Sequence, residues 1–131
     1  MNADEEGRLN ELTETVIGCA FKVSNVLGCG FAEKVYENAM VVEIKKAGLK
    51  VEQQKPICVL YDGVVVGEYF GDLLVESVVE LKAVRSLDDV HTAQCLNYLA
   101  ATGFPVCLLL NFAKRVDVKR FRGSKKASVS I

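Results

Sequence analysis

The spacing of hydrophobic residues changes at Lys50, and that change restricts the fold more than any other feature of the chain. Over residues 9–27, the apolar positions Leu12, Val16, Ile17, Cys19, Ala20, Val23 and Val26 fall at intervals of three and four, as on an amphipathic helix. Gly28-Cys29-Gly30 ends it, since glycine readily leaves helical geometry. A second helix is expected over 31–47, with Gly48 placed to stop it. Beyond Lys50 the texture is that of strands, over 51–60, 64–74 and 78–84. Tyr61-Asp62-Gly63 is the turn between the first two, and Pro56 marks the first as an edge or bulged strand. Ser86-Leu87-Asp88-Asp89 opens a third helix, capped by Ser86 or Asp88, which ends near Gly103. Residues 106–112 are apolar enough for a central strand, and 116–121 form a short last one. The order ααβββαβ(β) predicts an α/β (α+β) chain: a mixed sheet of four to five strands flanked by helices.

Length and composition narrow the class. The chain has 131 residues, half of them hydrophobic, which suits one domain over 1–131 with a core that needs no disulfides. Five cysteines without a CxxC spacing, and His91 as the single histidine, argue against zinc and for a reducing, cytoplasmic setting. The apolar runs are too short to span a bilayer, and the acidic start is no secretory signal, so no membrane partner is expected. A net charge of -1 hides an asymmetry. Residues 113–131 carry Lys114, Arg115, Lys119, Arg120, Arg122, Lys125 and Lys126 against Asp117 alone. Such a segment suits either contact with phosphates or a solvated end, and from Gly123 onward it reads as a flexible basic tail.

The stretch VVELKAV (78–84) sets Glu80 and Lys82 inside an apolar run. Strand alternation puts both on one face, with Val79, Leu81 and Ala83 on the other. A two-residue turn at Glu76-Ser77 from the preceding strand would put Asp72 opposite Leu81, whereas the three-residue loop at Val75-Glu76-Ser77 expected here, or a bulge of equivalent effect, pairs Leu74 with Val78 and Asp72 with Glu80. Neighbouring carboxylates repel when ionised, and a divalent cation removes the repulsion. A few oxygen ligands with positions left for water and phosphate suit Mg2+ (or Mn2+). The plainer reading of the same residues is a cross-strand ion pair of Lys82 with Glu80 or Asp72.

Asp72-x7-Glu80-x-Lys82 resembles the core motif of the PD-(D/E)XK nuclease superfamily, with glycine where that motif has proline. Gly30-Phe-Ala-Glu33-Lys-Val-Tyr36 resembles the signature that names the GxxExxY protein family, which is grouped with it. Gln94-Cys-Leu-Asn-Tyr98 is similar to the QxxxY element of its exonuclease-like branch, and Asn111-Phe112 also looks family-like. The resemblance covers roughly residues 9–112 and implies a restriction-endonuclease-like fold. It further implies metal ligation by Asp72, Glu80 and the backbone carbonyl of Leu81, with Glu33 reaching the metal directly or through water. Lys82 and Gln94 would be catalytic, and Gln94 and Tyr98 would line the site or touch the substrate backbone.

Each residue also has a plainer role. Glu33 suits a helix first turn. Tyr36 reads either as a packing residue with its hydroxyl satisfied or as a substrate contact. His91 reads as an exposed or capping histidine. The function expected from these features is metal-dependent hydrolysis of phosphodiester bonds in DNA or RNA. Lys114, Arg115, Lys119 and Arg120 are candidate backbone contacts, and a homodimer would suit a small nuclease that cuts duplex. The alternative is a non-catalytic module that binds nucleic acid or protein on the same fold.

Overall fold

The first helix, α1 (Ala3–Leu27), starts ahead of its apolar stripe because its cap lies there. Asn2 Oδ1 accepts the Glu5 N–H at 2.9 Å, and Asp4, Glu5 and Glu6 complement the positive helix end. The structure, a computed structural model, describes residues 2–75, 78–82 and 87–123, with 78–82 as backbone only. Ser86 and the tail residues Lys125 and Lys126 lie outside the described residues.

α1 ends with the Gly28 N–H bonded to the Ser24 carbonyl, and helix α2 (Glu33–Lys46) follows after a short connection. Strands β1 (Glu52–Tyr61) and β2 (Val64–Leu74) form a long hairpin. Asp62 and Gly63 both take positive φ, 54° and 76°, as a two-residue turn matched to strand twist requires. Next come β3 (Val78–Lys82), α3 (Asp89–Thr102), β4 (Val106–Phe112) and β5 (Val116–Arg122). Asp88 caps α3 by accepting the Val90 N–H at 3.0 Å, while His91 Nδ1 accepts the Asp88 N–H at 3.1 Å, so the histidine completes the cap.

All five strands form one sheet in the order β1-β2-β3-β4-β5. Neighbours are antiparallel except β3 and β4, which are parallel because α3 carries the chain back between them. The sheet is the mixed one expected from the order of elements, with five strands, and Pro56 lies on an edge strand.

Helices cover both faces. Every residue of β4 is buried, and its side chains sort by parity. Val106, Leu108, Leu110 and Phe112 join the core with α1 and α2; Cys107 and Leu109 join the core with α3. Cys19 and Cys95 are buried as well, whereas Cys29 and Cys58 are exposed.

Candidate functional site

In an unbroken strand, residues four apart lie on the same side. β1 departs from that rule. Gln53 reaches α2, its Nε2 donating to Glu37 Oε2 at 2.8 Å and to Asn38 Oδ1 at 2.9 Å. Ile57, four residues on, packs in the α3 core. β2 changes face in the same place: Leu73 belongs to the α1–α2 core, while Tyr69 sits edge-on to Tyr98 of α3, ring centroids 5.8 Å apart. The pairs Gln53–Leu73 and Lys55–Gly71 bracket this point, so Gln54 stands level with Asp72. Gln54 has φ 51°, the left-handed region, which costs a residue with a Cβ about 1–2 kcal/mol.

The strained residue bridges two acids. Gln54 Nε2 donates to Glu37 Oε1 at 2.9 Å and to Asp72 Oδ1 at 3.2 Å. Ionised carboxylates only accept, which fixes the end of the amide that faces them. Glu37 is 4% exposed and also accepts from Lys34 Nζ at 2.9 Å. With donors from Lys34, Gln53 and Gln54, its burial away from water is compensated.

On its other side β2 pairs with β3. Leu73 pairs with Val79 and Leu74 with Val78, the register that a three-residue loop at 75–77 calls for. The paired residues end at Leu73 and Val79; Asp72 and Glu80 are the next residue along each strand. Glu80 pairs in turn with Leu109, and Leu109 with Lys119; Lys82 pairs with Asn111, and Asn111 with Asp117. Two cross-strand rows result, one through Glu80, Leu109 and Lys119, the other through Lys82, the buried Asn111 and Asp117. The side chains of Glu80 and Lys82 lie outside the described residues; Leu81 pairs with Leu110.

The other residues singled out from sequence take varied places. Glu33 is exposed at the start of α2, four residues before Glu37 and hence on the same side of the helix. Tyr36 is fully buried: its hydroxyl donates to the Gly28 carbonyl at 2.7 Å and accepts the Phe31 N–H at 3.3 Å. Its ring stacks on Phe112 with centroids 4.6 Å apart. Gln94 is half-buried on α3, one turn before Tyr98, whose hydroxyl donates to the Phe70 carbonyl at 3.4 Å. Lys114 and Arg115 are exposed in the turn after β4, at the sheet end where Lys82 meets Asn111.

The basic residues of β5 divide between faces. Arg120 bonds Asn10 of α1 at 2.9 Å, and Arg122 grips Glu6 with both terminal nitrogens. That grip holds the Glu6 carboxyl below its ordinary range and raises the Arg122 guanidinium. Lys119 alternates to the opposite face, in the row of Glu80.

A family model described as the PD-(D/E)XK nuclease superfamily matches residues 10–121. This chain belongs to that superfamily. The solved structure described as "Crystal structure of SSO0001" has the same fold, with a TM-score of 0.52 at 14% identity, over 73% of this chain and 52% of that one. The chain thus spans about half the length of that relative. No curated protein sequence matches it. Nucleases of the superfamily usually use divalent metals. Among the described residues, which exclude the Glu80 side chain, no three His, Cys, Asp or Glu side chains gather as a metal site would. No helix among the described residues is long and apolar enough to cross a membrane.

Sequence reasoning missed Glu37, Gln53 and Gln54. Glu37 carried a signal, its four-residue spacing from Glu33. Gln54 carried none, because glutamine has no marked preference for left-handed backbone.

Proposed function

We propose that this chain is a metal-dependent nuclease hydrolysing phosphodiester bonds of DNA or RNA. The observation that supports this most directly is the β2–β3 register, Leu73 with Val79 and Leu74 with Val78, whose continuation would bring Asp72 beside Glu80. The donors fit a hard cation such as Mg2+ or Mn2+: carboxylate oxygens from Asp72 and Glu80 and the carbonyl of Leu81, with no sulfur or imidazole among them. Glu33 and Glu37 supply further acidic character from α2. When bound, the cation polarises the phosphate and offsets its developing charge.

The chain's own residues do the rest. Lys82 orients the attacking water and stabilises the charge on the phosphoryl oxygens as water displaces the leaving oxygen in line. Gln94, one turn before Tyr98 on α3, contacts the substrate backbone beside the site. Lys119 lies in the Glu80 row, two strands away, about 10 Å. Together with Lys114 and Arg115 it suits the flanking phosphates. Arg120 and Arg122 are turned to α1 and serve substrate less readily.

The test is cleavage of labelled single- and double-stranded DNA and RNA with Mg2+ or Mn2+. Wild type should cut at least one of these substrates. Lys82→Ala should lose cleavage while retaining metal binding. Equal turnover by the two proteins would reject the role given to Lys82. A wild type that binds these nucleic acids without cutting any of them would favour a binding module.

A further inference from the structure

We propose that Gln54 is a positioning residue of this site: one amide nitrogen, held by left-handed backbone at the point where β1 changes face, ties Asp72 to the buried Glu37. The inference rests on the metal-binding reading of Asp72.

Three observations converge on it. The backbone of Gln54 is strained, at φ 51°. Such strain persists where surrounding contacts over-determine it, and it clusters at functional sites. The amide nitrogen bonds two carboxylates, Glu37 at 2.9 Å and Asp72 at 3.2 Å. Glu37 is itself a fixed anchor, since it is buried and takes further hydrogen bonds from Lys34 and Gln53. The chain of contacts therefore runs from the rigid α2–sheet core through one side chain to Asp72.

The chemistry of the bridge suits a cation site. An amide is neutral, so it orients the Asp72 carboxylate without cancelling its charge. A lysine or arginine in its place would compete with the cation. Outer groups that orient ligands in this way commonly govern metal affinity. A purely architectural role for Gln54, turning the strand from one face to the other, would need only the backbone conformation. Glycine and asparagine both tolerate that conformation, and neither supplies the full reach of the side chain.

That difference defines the experiment. Mn2+ binding is followed by electron paramagnetic resonance on wild type, Gln54→Gly, Gln54→Asn and Asp72→Asn, with thermal unfolding of each apoprotein alongside. Both Gln54 variants should keep the melting temperature close to that of wild type, because relieved strain offsets the hydrogen bond lost to Glu37, yet bind Mn2+ about ten- to a hundredfold more weakly. Glu37→Gln should shift affinity in the same direction. Gln54 variants that bind as tightly as wild type, while Asp72→Asn binds weakly, would overturn the positioning role and leave the metal reading intact. Wild type and Asp72→Asn behaving alike would instead remove the metal reading, and this inference with it.

Discussion

β4 and β1 belong to one sheet and treat alternation differently. β4 keeps strict parity over its whole length, feeding even-numbered side chains to the α1–α2 core and Cys107 and Leu109 to the α3 core. β1 breaks parity at Gln54, and β2 breaks it beside Asp72. Hydrophobic burial dictates the first strand. Hydrogen bonds among Glu37, Gln53, Gln54 and Asp72 accompany the departure in the second. The apolar strand therefore secures the fold, and the irregular hairpin carries the polar side of the candidate site.

The largest effect expected from breaking this contrast lies in β4. Leu110 is fully buried, and Leu110→Ala should cost about 2–5 kcal/mol of unfolding free energy in denaturant titration. At the irregular point, Gln54→Gly relieves left-handed strain and adds chain entropy to the unfolded state. The net change there should stay within about 1 kcal/mol. Comparable losses at the two positions would mean that β1 is as much a core strand as β4.

A middle-sized effect should come from Tyr36→Phe. The ring and its stacking on Phe112 remain, but the Gly28 carbonyl and Phe31 N–H lose a partner. The loss should be about 1 kcal/mol, together with faster amide exchange at Phe31. Exchange unchanged at Phe31 would place the anchoring of the α1–α2 turn elsewhere.

The smallest effect concerns Glu6 and Arg122, which tie α1 to β5 at the surface. The folded carboxyl titrates below its ordinary value of 4.5 because Arg122 bonds it. Its contribution is therefore present above that value and fades as pH falls through the lower, folded one. Glu6→Gln should be slightly less stable than wild type at neutral pH, and the gap should close in acid and shrink in high salt. A gap that widened in acid would contradict the pairing.

Much of this was legible in the sequence. Helical spacing marked α1, the glycines on either side bracketed α2, the continuous apolar run marked β4, and the Tyr61-Asp62-Gly63 turn marked the first hairpin. The three-residue loop expected after Leu74, in place of a two-residue turn, predicts the pairing of Leu74 with Val78 that is found. The first turns of α1 were not visible because residues 3–8 have no apolar stripe; the Asn2 cap forms them. The change of face at Gln54 was hidden for a different reason. It results from contacts with α2 and β2, brought together only by the fold, and alternation along one strand cannot show it. The packing of Tyr36 was legible only as one of two roles, because the Gly28 carbonyl and Phe31 N–H that its hydroxyl meets are brought to it by the α1–α2 connection.

Calorimetric titration with Mn2+ of wild type, Asp72→Asn and Glu80→Gln tests most directly whether the two strands share a cation. One ion should bind per wild-type chain, and each substitution should weaken it by more than the roughly ten- to hundredfold typical of an outer partner. Absence of binding to wild type, or equal binding to all three proteins, would contradict a shared site at Asp72 and Glu80.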